Sequence, residues 1–189
     1  MLSRRPRWPT RNWSRRLFRK RPDFARARDT GGLTALQWAA GSRMPGPLLE
    51  IARLLIKAGA DLRAKTKSWS HDIDAVHLAA SAKNAALFEL LLNSGADATE
   101  ALAPALWNGS EELAGMALAH GAVLDGAVAD RQPLLNNLIR WGGFRPALWL
   151  LSHGASPNIA DERGWTPFTR RPRAEMSVCC ELFSKPERT

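Results

Sequence analysis

Leucine and small apolar residues recur along this chain at helical spacing, in blocks that each close on a Gly-Ala pair. The stripes are Leu54/Leu55, Leu87/Leu90/Leu91, Leu113/Met116/Ala117 and Leu148/Leu150/Leu151. Their i, i+3, i+4 spacing predicts one buried helix face per block. The closing pairs are Gly59-Ala60, Gly95-Ala96, Gly121-Ala122 and Gly154-Ala155, at intervals of 36, 26 and 33 residues. A glycine at that place lets the chain leave the helix through a left-handed residue. Self-similarity at such a period is the mark of a repeat array, in which each unit buries its apolar face against its neighbours.

The block from Asp29 to Asp61 carries the fullest pattern. It opens Asp29-Thr-Gly-Gly32-Leu-Thr34-Ala-Leu36-Gln-Trp38-Ala39-Ala40 and closes Ile51-Ala-Arg-Leu54-Leu55-Ile56-Lys-Ala-Gly59-Ala60-Asp61. This order of turn, small-residue helix, Leu-rich helix and glycine stop resembles one ankyrin repeat. A second unit is similar at Ala75-Val76-His77-Leu78-Ala79-Ala80, with Asp74 in place of the family's Thr. A third matches at Leu102, Asn108-Gly109 and Gly121-Ala122, and a fourth at Gln132-Pro133-Leu134, Gly142-Gly143 and Gly154-Ala155. A fifth begins Asp161-Glu-Arg-Gly164-Trp-Thr166-Pro167-Phe168, after which Pro172 interrupts it and Ala174 to Phe183 serve as a capping helix.

The resemblance implies a mainly α fold: an ankyrin-repeat solenoid of helix-turn-helix units joined by β-hairpin loops. The repeats fall at about 29–61, 62–97, 98–124 and 125–157, with a partial capping repeat at 158–189, behind a basic arm at 1–28. Several departures are particular to this chain. Residues 42–47 are inserted between the helices of the first repeat, the finger over Arg63–Ile73 is lengthened, and the third finger is largely deleted, with Glu100 as helix-starting residue. The family's structural histidine is kept only as His77; Gln37, Ala103, Leu135 and Thr169 are read at the other places.

Charge alters the picture in one region. Residues 1–28 hold eleven Lys or Arg against Asp23 alone, a net +10 of the chain's +9, and the remainder is close to neutral at −1. That excludes a generally basic nucleic-acid-binding array and leaves the arm as the polyanion candidate, through Arg4, Arg5, Arg7, Arg11, Arg15, Arg16, Arg19, Lys20 and Arg21. With Trp8, Trp13 and Phe18 interleaved, such a segment suits phosphates and bases, or an anionic membrane. It shares an Arg-rich, acid-poor composition with mitochondrial presequences, and Ser14-Arg15-Arg16-Leu-Phe18-Arg-Lys20 resembles a twin-arginine signal. The apolar segment that such a signal needs does not follow it. A solvated tail is the plainest reading. The adjacent Cys179 and Cys180 suit neither a bridge nor a metal framework and point to a reducing, cytoplasmic compartment. No apolar run approaches membrane-spanning length.

The residues that look chemical have structural readings. His71, Asp72, Asp74 and His77 match no metal-ligand spacing, and Asp74 stands where a carboxylate caps a helix. Ser110-Glu111-Glu112 reads as a cap before an apolar helix, and His120 and His153 suit helix C-termini. Gly142-Gly143 lacks the Lys-Ser/Thr of a phosphate loop. No catalytic set, cofactor, metal or small-molecule substrate is expected.

The family usually binds a partner protein on its concave face, made by finger tips and first helices. On the sequence register the variable position of the first helices holds Gly41, Ser81, Trp107 and Ile139. The expected partner-binding residues are Trp38, Lys65, Lys67, Trp69, His71, Trp107, Ile139 and Trp141, since tryptophans are typical anchors and the long finger is cationic. The function expected is a non-enzymatic protein-protein interaction module, as inhibitor, immunity protein, adaptor or effector. The alternative is a nucleic-acid or anionic-membrane tether working through the arm.

Overall fold

In the computed structural model the described residues are 25–43, 47–68, 71–126 and 132–167, and of Ser68 and His71 only the backbone belongs to them. They form two compact units that divide between Asp97 and Ala98. The first unit carries α1 (Ala35–Gly41), α2 (Leu48–Lys57), β1 (Thr66–Ser68), β2 (His71–Ile73), α3 (Ala75–Ser81) and α4 (Ala85–Asn93). The second carries α5 (Ala98–Trp107), α6 (Glu111–Ala119), α7 (Leu134–Arg140) and α8 (Phe144–Ser152). The architecture is mainly α, in helix pairs.

In the first unit α1 packs on α2 and α3, α3 on α4, and α2 on α4. Small residues make this possible: Ala39, Ala40, Ala79 and Ala80 are buried at the helix contacts. Leu36, Leu55, Leu87, Phe88 and Leu91 fill the space between. Each fully buried side chain of that size contributes about 1.5–3 kcal/mol.

Four helix starts carry side-chain caps, of which Thr34, Asp74 and Ser110 were expected from the sequence and Asn84 was not. Thr34 accepts from the Gln37 amide at 3.2 Å, Asp74 from the His77 amide at 2.8 Å, Asn84 from the Leu87 amide at 3.2 Å and Ser110 from the Leu113 amide at 3.4 Å. The long finger forms an antiparallel hairpin with Thr66 opposite Ile73, Lys67 opposite Asp72 and Ser68 opposite His71.

Gln37 joins the first repeat to this hairpin. Its side chain is 1% exposed, and such a buried amide must find partners. Nε2 donates to the carbonyls of Ala64 at 3.0 Å and Ile73 at 3.1 Å, one at each base of the hairpin. Oε1 accepts from the Thr34 amide at 2.8 Å. The Thr66 hydroxyl shares its hydrogen between Oε1 at 3.1 Å and the Gly32 carbonyl at 2.9 Å. A glutamine at the family's histidine position thus makes a complete lock.

The second unit repeats the lock in a register one residue later than the sequence suggested. The Gly142 amide bonds the Ile139 carbonyl and that of Gly143 the Leu138 carbonyl, just as Lys83 bonds Ala80 and Asn84 bonds Ala79. Asn136, not Leu135, therefore holds the histidine position, and Leu135 is buried. Asn136 Nδ2 donates to the carbonyls of Ile159 at 3.3 Å and Trp165 at 3.1 Å, which correspond to Ala64 and Ile73. Its Oδ1, however, is buried without a donor. The cause is local: the residue in Thr34's place is Pro133, which has no N–H.

Two further departures lie in this unit. Only Ser94–Asp97 separate α4 from α5, so no third finger forms. Its residues join the helix instead: α5 starts at Ala98, ahead of Glu100, which was expected to start it. Pro104 lies inside α5 and removes one of its hydrogen bonds. The turn between paired helices needs a left-handed residue; Gly109 and Gly142 supply it at φ of 67° and 80°, whereas Lys83 adopts 53° at the same place.

Two stability predictions follow from the lock. Gln37→Ala strands the Ala64 and Ile73 carbonyls and the Thr34 amide, and should cost about 3 kcal/mol in urea unfolding, with Gln37→His recovering part of the loss. Pro133→Thr supplies the missing amide and a capping hydroxyl, and should raise stability by about 1 kcal/mol in the same measurement.

Candidate functional site

The first unit places one exposed indole on a fixed mount. Asp29 opens a tight turn in which its Oδ1 accepts from the amides of Gly31 at 2.9 Å and Leu33 at 2.8 Å. Its Oδ2 accepts from Trp38 Nε1 at 2.6 Å. The Trp38 ring is nonetheless 59% exposed. Its polar edge is satisfied within the repeat while much of its apolar surface faces out. These donors, Trp38 foremost and then Leu33, hold the Asp29 carboxyl below its ordinary value of 3.8.

Arg28 braces the same finger. Its Nη1 donates to the carbonyls of Gly32 at 2.8 Å and Lys65 at 3.0 Å and approaches the Thr66 hydroxyl at 3.3 Å. Arg26 Nε reaches the Gly59 carbonyl at 3.1 Å. Lys65 and Lys67 flank Thr66 and are both exposed. Thr66 points at Gly32, so the strand's alternation sends both lysines to the opposite face.

The second unit presents three more exposed indoles: Trp107 at the end of α5, Trp141 at the turn after α7, and Trp165 beyond α8. The rim of the Trp107 ring lies over the α7–α8 turn: its Cη2 would be 3.3 Å from a Cβ placed on Gly143. A side chain at Gly143 would press on the ring, so the glycine provides the seat. Arg140 lies over the Trp141 ring with its guanidinium carbon 5.6 Å from the centroid, a cation–π contact.

One expected member of the face is displaced. Ile139 corresponds to Ala40 and Ala80, the inward positions of the earlier first helices, and is half-buried. The exposed position belongs to its neighbour, Arg140. Trp69 and the basic residues from Arg4 to Arg21 lie outside the described residues, and for His71 only the backbone in β2 is described. Asp29, Arg28 and Arg140 were missed by the sequence reading. The signal for Asp29 was present, since a turn-opening aspartate has a free carboxylate oxygen and Trp38 lies within reach of it.

A sequence model of the ankyrin repeat matches residues 31–67. Among solved structures, the ankyrin repeat domain of Bcl-3, described as a unique member of the IkappaB protein family, matches with a TM-score of 0.62 and 23% identity. The match covers 82% of this chain and 71% of that one. No curated protein sequence matches the chain. The helix pairs, hairpin finger and capped turns are the ankyrin-repeat fold, and residues 31–67 match the ankyrin repeat itself.

The Asp29–Trp38 bond gives a pH dependence of known sign. A carboxylate with a depressed folded pKa contributes stability above its unfolded pKa and loses it as pH falls through the folded value. The destabilisation by Asp29→Asn should therefore be full at neutral pH and shrink once pH drops below 3.8. Trp38→Phe removes the largest cause, so the Asp29 carboxyl should titrate closer to 3.8, as followed by carbon-detected NMR.

Proposed function

We propose that this protein is a non-enzymatic interaction module that holds a partner protein through exposed residues of the first helices and fingers of its units. The observation that carries the reading is the mounting of exposed tryptophans. Trp38 is tied by its N–H to Asp29, and Trp107 is seated on Gly143. Large amphipathic rings held in place before binding lose little entropy on association, which is the usual makeup of an interface anchor. The candidates for chemistry in the sequence have other work: Asp74 and Ser110 cap helices. Among the described residues no helix is long and apolar enough to cross a membrane. A cytoplasmic inhibitor, immunity protein, adaptor or effector fits this reading. The net +10 of residues 1–28 supports a second contribution, attraction of the whole molecule to nucleic acid or an anionic membrane.

Trp107 is the deciding residue. As an anchor, Trp107→Ala should weaken partner binding by about 2 kcal/mol or more at an unchanged melting temperature. As core, it should cost about 3–5 kcal/mol of stability, and binding should return on cooling. The ring is 43% exposed, and the first outcome is expected. Calorimetric titration and thermal melting of the variant beside the parent separate the two.

A further inference from the structure

We propose that the turn between α7 and α8 receives an extended, proline-rich segment of the partner, with a carboxylate beside the prolines. This assignment rests on the interaction-module reading and adds the chemistry of the partner to it.

Two indoles stand at this turn, Trp141–Gly143. Trp141 belongs to it and is 68% exposed, and Trp107 brings the rim of its ring against Gly143 from the preceding repeat. Their N–H groups are unspent. Trp38 gives its own to Asp29, whereas Nε1 of Trp107 and Nε1 of Trp141 have no partner among the described residues. Arg140 lies over the Trp141 ring, a contact that uses the ring face and leaves the guanidinium N–H groups free. Among the described residues no carboxylate pairs with Arg140, while Arg145 of α8 is paired with Glu111 at 3.2 Å.

Trp107, Arg140 and Trp141 thus offer hydrogen-bond donors and apolar ring surface, with no acceptor atom in any of the three side chains. The ligand that matches is rich in free carbonyls, poor in N–H groups, and apolar enough to lie on the rings. An extended proline segment has that chemistry. It makes no internal hydrogen bonds, so its carbonyls are free, and each proline lacks the N–H that would ask for an acceptor. Its preset backbone loses little freedom on docking, and aromatic-lined sites take such segments. Other backbones match less well. A helix spends its carbonyls internally, and an ordinary strand brings an N–H with every carbonyl. Arg140, unpaired, adds a place for one carboxylate.

The test titrates the full chain with three synthetic peptides of equal length. The first alternates proline with apolar residues and carries one Glu. The second has Ala for every Pro, and the third has Gln for the Glu. Binding is read at the indole N–H signals of Trp107 and Trp141 in proton–nitrogen spectra, assigned with Trp107→Phe and Trp141→Phe. The first peptide should move both signals along one saturation curve. The alanine peptide should bind about tenfold more weakly or worse. Trp141→Phe keeps a ring but removes a donor, and should lose about threefold to tenfold in affinity at an unchanged melting temperature. Arg140→Gln should abolish the preference for the Glu peptide over the Gln peptide. Any of four results would overturn the assignment: unmoved Trp107 and Trp141 signals, shifts confined to the other indoles, equal affinity for the alanine peptide, or no preference for Glu over Gln. A partner protein whose binding falls with Trp107→Ala, while the proline peptide leaves both indoles unmoved, would end this assignment and keep the module reading. Partner binding indifferent to Trp38, Trp107 and Trp141 alike would end both.

Discussion

A single buried amide holds the best-formed part of this protein together. Gln37 is capped into α1 by Thr34 and reaches across to both bases of the next finger, so helix, turn and hairpin share one set of hydrogen bonds. Such a group is either fully satisfied or costly, because an unpaired buried polar atom forfeits its hydration without recompense. The exposed parts of the finger depend on it. Arg28, Asp29 and Trp38 lie along the same turn, and Thr66, which leans on Gly32 and Gln37, passes that order to β1. The exposed side chains of this turn are therefore placed by a buried interior bond.

The contrast with the second unit shows how much one missing hydrogen matters. Asn136 makes both outward bonds that Gln37 makes, yet Pro133 offers no amide to its oxygen. Pro104 adds a gap inside α5. These features leave the second unit with fewer internal constraints of this kind, and its binding candidates rely on packing instead: Trp107 on Gly143, and Arg140 on Trp141.

The period, the helix pairs and the caps were legible in the chain because they follow from short-range chemistry. Thr34, Asp74 and Ser110 stand before apolar helices, and each caps one. The slip at the fourth repeat has an equally local origin. Gln132-Pro133-Leu134 reads naturally as a start with proline at the first helical residue, where it is favoured. Pro133 is instead the residue before α7, which moves the assignments within that helix by one and exchanges Ile139 for Arg140. Nothing in the periodicity separates those two starts, since Leu134 and Leu135 are both apolar and both buried. The deleted third finger was readable as a deletion, but not the way α5 takes up its residues. The mounting of Trp38 depends on the geometry of one turn, and hydropathy alone does not carry it.

The two kinds of mount have different consequences for recognition. A hydrogen bond from the indole N–H fixes Trp38 by direction, and it couples the ring to the ionisation of Asp29. Packing on a glycine fixes Trp107 by contact, with no charge involved and no dependence on pH. A packed mount favours a partner chosen by shape, since its gain comes from area removed from water. One chain built from a common repeat therefore holds two exposed tryptophans in different ways. The difference arises from what stands beside each tryptophan: an aspartate of the same repeat for Trp38, a glycine of the following repeat for Trp107.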